Sequence, residues 1–354
     1  MKILKYLLFI ILILLIGGAI YFGTKDGSFD VSESKTMNAP AELVYDNVKD
    51  YKNWQNWGPW MELDPNIKMS YAEKTEGKGA SYSWSSDHME VGNGTMETTK
   101  VIPSKEIDQK ITFNTPLGDS QNDVYWRFDA TETPGQTKVT WGMKGEQSFM
   151  EKVFMAFQKE DMETGMRTMF EKGLTKLEGV VLEEMKKYTI SVDGITTYEG
   201  GFYMYATTAS KRNEIGEKMG PMLGMVLGYM EENKIESSGM PFTIYNEVNE
   251  LNGTVIFSAC IPVKEKLVTP YGSPVLCGFM KPLTTLKTTL KGNYDHLGET
   301  YTKAKEYIAL NKMQLNPNEK MFEVYSTDPG LVPNPADWVT EIYFPIVMPK
   351  NPEN

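Results

Sequence analysis

The first pattern along the chain is a block. Residues Tyr6 to Phe22 are seventeen uncharged, mostly apolar positions, preceded by Lys2 and Lys5 and followed closely by Lys25. As a helix this run spans about 26 Å at about 1.5 Å per residue, enough to cross a hydrocarbon core. The positive-inside rule then keeps the N-terminus cytoplasmic and puts both following domains outside, periplasmic or extracytoplasmic. We therefore assign residues 1–25 as a single-pass transmembrane anchor in the cell membrane. A cleaved signal peptide is the alternative, against which no small-x-small site precedes Lys25 in a convincing context.

Beyond the block the periodicity changes to short alternating runs. Ser34 to Tyr45 reads as a strand turning through Ala39-Pro40 into a helix with Val44, Tyr45 and Val48 on one face. Strands are predicted over 80–84, 94–101, 106–113, 124–130 and 138–143, with Asn93-Gly94 and Pro134-Gly135 as hairpin turns. From Ser148 to Lys187 the apolar residues Phe154, Phe157, Met166, Met169, Phe170, Leu174, Leu177, Val181 and Leu182 fall near helical spacing, which predicts one long amphipathic helix. A sheet curved around such a helix leaves an apolar cavity, and Trp54 and Trp57, with Trp60, stand at its mouth either as packing or as a ligand stack. This is the first domain, 29–187.

The second domain, 188–349, carries an internal repeat. Met240 to Tyr245 matches Lys320 to Tyr325, Tyr229 matches Tyr307, and Ile261-Pro262-Val263 matches Phe344-Pro345-Ile346, at offsets of 80, 78 and 83. Each copy reads as strand, helix, strand, strand, so two copies form one sheet backed by two helices, with a groove on the other face. Alternation sends Phe322 and Val324 to the helices and Glu323 and Tyr325 to the groove. In the last strand Ile342, Phe344 and Ile346 go to the core, Glu341 and Tyr343 to the groove. A carboxylate at Glu341 ringed by Tyr205, Tyr245, Tyr325 and Tyr343 suits a hydrophobic or cationic aromatic small molecule. Pairing of Glu341 with a nearby lysine is the alternative.

Charge narrows the partners. With 36 basic against 47 acidic residues the net charge is −11, and no basic run offers the cations that phosphate contacts need, so nucleic acid is not an expected partner. Cys260 and Cys277 are the two cysteines; if the chain between them is a hairpin they lie opposite each other, so free, part-buried thiols and a bond both remain open. His88 and His296 are the two histidines and neither belongs to a ligand-spaced cluster, so neither metal nor cofactor is expected.

Two resemblances sharpen the fold. Ala39-Pro40 with Val44-Tyr45, the Trp54, Trp57 and Pro59-Trp60 cluster, Gly92-Asn93-Gly94, Thr137 to Trp141 and Gly173-Leu174 to Leu177 resemble the SRPBCC superfamily, the START-like helix-grip proteins, in the polyketide-cyclase-like branch. Gly292 to Leu297, Phe322 to Tyr325 and Asp337 to Ile346 resemble the GyrI-like, AraC-type effector-binding domain. The resemblances imply an α+β fold: a helix-grip domain, then a duplicated βαββ domain, behind one transmembrane helix. They imply pockets for lipids or drug-like molecules, and they put the effector-binding family's central acid on Glu341. The expected function is a membrane-anchored, non-enzymatic protein that senses, sequesters or transfers hydrophobic or amphipathic small molecules. The alternative is a hydrolase of lipophilic electrophiles that uses Glu341 with Tyr343. A third reading, a module that docks a protein partner in the groove, has no linear motif behind it.

Overall fold

The computed structural model describes residues 2–115, 118–158 and 161–347; residues 348–349, assigned to the second domain, lie outside the described residues. The chain divides into two compact units, Met1–Glu184 and Met185–Asn354.

In the first unit α1 (Lys2–Thr24) carries the apolar block as one helix, none of it buried by protein, followed by β1 (Ser28–Met37), α2 (Ala41–Lys49), α3 (Trp60–Leu63), β2 (Lys68–Tyr71), β3 (Ser81–Ser85), β4 (Asn93–Ile102), β5 (Glu106–Thr115), β6 (Gly118–Ala130), β7 (Thr137–Glu146), α4 (Phe149–Met155) and α5 (Met162–Met185). The strands form an antiparallel sheet of order β1-β7-β6-β5-β4-β3-β2, a meander closed by β1 beside β7. Helix α5 turns Phe170, Gly173, Leu174, Leu177 and Val181 inward.

Two sequence expectations need correction here. The helix predicted over 148–187 is two helices. Ser148 caps α4 through a reciprocal pair with Glu151 (Glu151 N to Ser148 Oγ 3.3 Å, Ser148 N to Glu151 Oε2 2.7 Å), and Asp161 starts α5 by accepting from Thr164 N at 3.0 Å. Phe154 and Phe157 therefore leave the inner stripe and are 48% and 83% exposed. Asn93-Gly94 lies inside β4 rather than in a turn: a Cβ on Gly94 would sit 2.4 Å from Thr112 O and 2.6 Å from the Trp84 ring, so close strand approach is what requires glycine there.

The second unit runs β8 (Thr189–Tyr198), β9 (Gly201–Lys211), α6 (Ile215–Glu232), β10 (Phe242–Asn249), β11 (Thr254–Val263), β12 (Leu276–Met280), β13 (Leu283–Lys291), α7 (Leu297–Leu310), β14 (Gln314–Leu315), β15 (Phe322–Tyr325) and β16 (Val339–Val347). The main sheet order β12-β9-β11-β10-β15-β16-β13-β8 reads the same from either edge once β9-α6-β10-β11 is matched to β13-α7-β15-β16. The helix ends confirm the repeat. Asn233 Nδ2 donates to Tyr229 O (2.8 Å) and Asn311 Nδ2 to Tyr307 O (2.9 Å), and each is followed by a lysine at positive φ, Lys234 (57°) and Lys312 (53°). The edge strands are exchanged: β8 precedes the first copy but pairs with β13 of the second, and β12 precedes the second but pairs with β9 of the first.

One face of this sheet holds both helices. Met222, Val226 and Met230 of α6 pack with Met204, Phe257 and Ile261, and Ala304 and Ile308 of α7 pack with Leu286, Ile342 and Phe344. The helix-free face is also apolar, built from Phe242, Ile244, Cys260, Leu283, Phe322, Val324 and Tyr343. Cys260 pairs with Tyr205 and Cys277 with Met204, so β9 stands between the strands that carry them; the two thiols are free, and no Cys260–Cys277 hairpin forms.

Candidate functional site

The two copies meet at β10 and β15, where Thr243 lies directly opposite Glu323. These are equivalent positions of the repeat, so the local dyad passes between them, with threonine on one side and the acid on the other. Helix α6 packs on β9 and β11, and α7 on β13 and β8, which leaves β10 and β15 as a floor between the two helices, over which Met219 of α6 and Tyr301 of α7 reach.

Glu323 is 1% exposed. Its Oε2 accepts from Tyr245 Oη and Tyr325 Oη, both at 3.0 Å, and its Oε1 accepts a short hydrogen bond from Tyr301 Oη of α7. The Tyr325 hydroxyl also lies 3.0 Å from Thr243 Oγ1, whose other neighbour is Met219 Sδ of α6 at 3.3 Å. Tyr294 sets its ring against Tyr325 at 5.9 Å and against Trp338 at 5.0 Å. Burial pushes the Glu323 carboxyl up to about 7, against the pull of the Tyr325 and Tyr245 hydroxyls. Burial, then the Glu323 charge, pushes the hydroxyls of Tyr245 and Tyr325 well above the ordinary tyrosine range. Such a site holds a carboxyl close to its midpoint at neutral pH, with donors fixed around it and aromatic rings half-buried at its rim.

The walls break the dyad. At the helix offset of the repeat, Tyr301 of α7 corresponds to Leu223 of α6, so the hydroxyl that reaches Glu323 from α7 has no polar counterpart at the equivalent position of α6.

The sequence-predicted residues fall into two groups. Tyr245 and Tyr325 come together with Glu323 rather than Glu341, and on the helix side, so Phe322 and Val324 face away from the helices. The register explains the correction: Phe322 pairs with Tyr343 and Glu323 with Ile342, hence Glu323 shares the face of Ile342 and α7. Glu341, Tyr343 and Tyr205 occupy the opposite face. Glu341 Oε1 is ion-paired with Lys287 Nζ at 2.6 Å, and its Oε2 accepts from Tyr343 Oη at 2.7 Å. The Tyr343 ring stacks on Phe322 with centroids 4.9 Å apart. Burial, followed by the hydrogen bond to Glu341, pushes the Tyr343 hydroxyl up. The predicted ring of four tyrosines around Glu341 does not form, and the pairing with lysine does.

Sequence reading missed Tyr301, Thr243 and Tyr294. A signal for Tyr301 was present, since it precedes the inward Ala304 and Ile308 by three and seven residues.

In the first unit the cavity expected between helix and sheet is filled. Trp54 and Trp57 are fully buried, their indole N–H groups donating to Val48 O (2.8 Å) and Asn47 O (3.2 Å). They pack edge-on against Trp126 and Trp141, which stack at 4.5 Å. Trp141 in turn meets Phe170 of α5 at 4.7 Å, and Gly173 lets the helix come so close that a Cβ there would lie 2.5 Å from the Trp141 ring. Beneath them Tyr51 Oη, Thr98 Oγ1, Gln109 and Trp126 Nε1 form a buried hydrogen-bonded chain. Trp54 and Trp57 are thus core, not ligand-stacking, residues. Among the described residues no group of three or more His, Cys, Asp or Glu side chains is gathered as a metal site.

With this geometry in hand, comparison places the chain among known proteins. Residues 28–181 match the family described as polyketide cyclase / dehydrase and lipid transport. Similar solved structures include the C-terminal domain of EcmrR, 17% identical, covering 46% of this chain and 99% of that one with a TM-score of 0.39. The EcmrR–DNA complex is 14% identical over 61% of this chain and 87% of that one, TM-score 0.39. The Aha1 dimer from Colwellia psychrerythraea is 15% identical over 43% and 96%, TM-score 0.31. No curated protein matches the chain.

Proposed function

We propose that this protein captures a lipophilic cation or planar aromatic molecule in the cleft between α6 and α7, with Glu323 as the recognition acid, on a chain tethered to a membrane by α1 with both units outside. The observation that carries this reading is the solitary buried carboxyl of Glu323, surrounded by three tyrosine hydroxyls at the centre of a duplicated sheet. A buried charge without a cationic partner is costly, and an aromatic-rimmed site recovers that cost when a cation arrives. Glu341 already has its cation in Lys287, so it takes no part in recognition. The packed first unit leaves the cleft as the element that binds.

Equilibrium binding of tetraphenylphosphonium tests the reading. Glu323→Gln is expected to weaken binding by about tenfold or more, the loss of roughly 1.4 kcal/mol or more of charge attraction, while Glu341→Gln leaves it nearly unchanged. Equal affinities in the wild type and Glu323→Gln would refute it. A carboxyl held near 7 also suits proton transfer, which favours hydrolysis of a bound electrophile as a second reading. There, Glu323→Gln abolishes turnover and retains binding.

A further inference from the structure

The corrected course of residues 148–158 leaves an apolar surface that no part of the proposed binding function uses. Helix α4 has no buried residue; Phe149, Met150 and Phe154 are 42%, 45% and 48% exposed, and Phe157 beyond it is 83% exposed. Three phenylalanines and a methionine within nine residues, all open to solvent, form a contiguous patch of the kind that marks an interaction surface.

Its position says what covers it. Helix α4 lies against α1. Its base is fastened to the residues that leave α1: Gln147 N donates to Gly27 O at 2.8 Å, and Lys152 Nζ donates to Lys25 O at 2.7 Å. A Cβ on Gly27 would sit 2.7 Å from Gln147 O, so this junction is as tight as backbone allows. Helix α1 meanwhile leaves its large apolar side chains from Ile3 to Tyr21 exposed, none of them buried by protein. An element resting on the C-terminal end of a spanning helix lies at the depth where hydrocarbon meets headgroups, the level favoured by aromatic side chains.

We infer that α4 and Phe157 form a second, shallow membrane contact: the phenylalanines enter the headgroup and acyl boundary of the leaflet from which α1 emerges. Lys152, held at the carbonyl of Lys25, keeps its charge at the polar edge of that layer. The inference rests on α1 being a membrane span. The contact fixes the first unit against the bilayer at two points instead of one, so the unit does not swing freely on its anchor.

The test uses the full chain in phosphatidylcholine vesicles, on a Cys277→Ser background, with Cys260 buried and out of reach of label. An environment-sensitive fluorophore is attached at Phe157→Cys, at Ile13→Cys within α1, and at Glu132→Cys in the β6–β7 turn at the far end of strand β7. The probe at 157 should emit to the blue of the probe at 132; spin-labelled lipids that quench at shallow depth should quench the probe at 157, those that quench at the bilayer centre should quench the probe at 13, and neither should quench the probe at 132. Quenching at 13 with a probe at 157 as open to aqueous iodide as the one at 132 overturns the inference and leaves the anchor standing. Absence of lipid quenching at 13 overturns both. As a second variant, Phe154→Ser with Phe157→Ser should leave the chain in the membrane after alkaline extraction while opening a labelled Met150→Cys to iodide; unchanged protection of that probe also counts against the contact.

Discussion

Glu323 makes a demanding prediction about pH. Its carboxyl titrates near 7 in the folded protein against 4.5 in an unfolded chain, because burial penalises the charged form. Between those values the folded state holds a proton that the unfolded state has released, so the contribution of Glu323 to stability is fully present below about 4.5 and is lost as pH rises through 7. At about 1.4 kcal/mol per pH unit the loss amounts to roughly 3 kcal/mol, a sizeable part of a domain's net stability. Glu323→Gln removes the titration while keeping the shape. At pH 8 the variant should be the more stable by about 2 kcal/mol, the gain being offset by roughly 1 kcal/mol for hydroxyls that a neutral amide satisfies less well. Urea unfolding of both proteins in detergent at pH 5 and pH 8 measures the difference, and other titrating groups cancel in the comparison. Parallel pH dependence in the two proteins would refute the assignment of Glu323 as a buried, titrating carboxyl.

Further outcomes follow from packing and hydrogen bonding. Tyr301→Phe removes a donor to Glu323 Oε1 and should raise its midpoint above that of the wild type, visible as a carboxylic C=O infrared band persisting to higher pH. Gly224 and Gly228 of α6 have open space where a Cβ would go, so each change to alanine should stabilise the second unit by about 0.5 to 1 kcal/mol in thermal unfolding, whereas Gly220, which precedes Pro221, should gain nothing because a Cβ there meets the proline ring. Gly173→Ala should do the opposite, costing about 1 to 3 kcal/mol by driving a methyl group into Trp141, with loss of near-ultraviolet circular dichroism from the indole stack.

How much of this was legible depended on whether one face of an element differs from the other. The strands of the first unit alternate buried and exposed residues, as in the pattern of Thr137 to Trp141; β3, β4, β5 and β7 were located to within a few residues, whereas β1 and β6 begin six residues before their predicted starts and the short edge strand β2 was not predicted. In the second unit β15 reads buried on both sides, Phe322, Glu323 and Val324 alike, so polarity alone does not assign its faces. Register does: once Phe322 is set beside Tyr343, Glu323 and Glu341 must fall on opposite sides. The repeat itself was plain from the matched segments, and with it the position of the dyad; the exchanged edge strands, whose partners lie far along the chain, leave no local trace. The helix break between α4 and α5 was hidden because Phe154 and Phe157 keep the spacing of the stripe while facing outward. Asp161 and Thr164 were the readable sign of the new start.

The exchanged edges also govern how the second unit comes into being. When β8 leaves the ribosome it has no partner, because Leu283 to Lys291, which it must pair with, has yet to emerge. The first copy is likewise missing its outer strand until β12 arrives. Neither half is complete by itself, so the earlier half cannot close ahead of the later one, and a chain halted between the copies is left with open strand edges that invite aggregation.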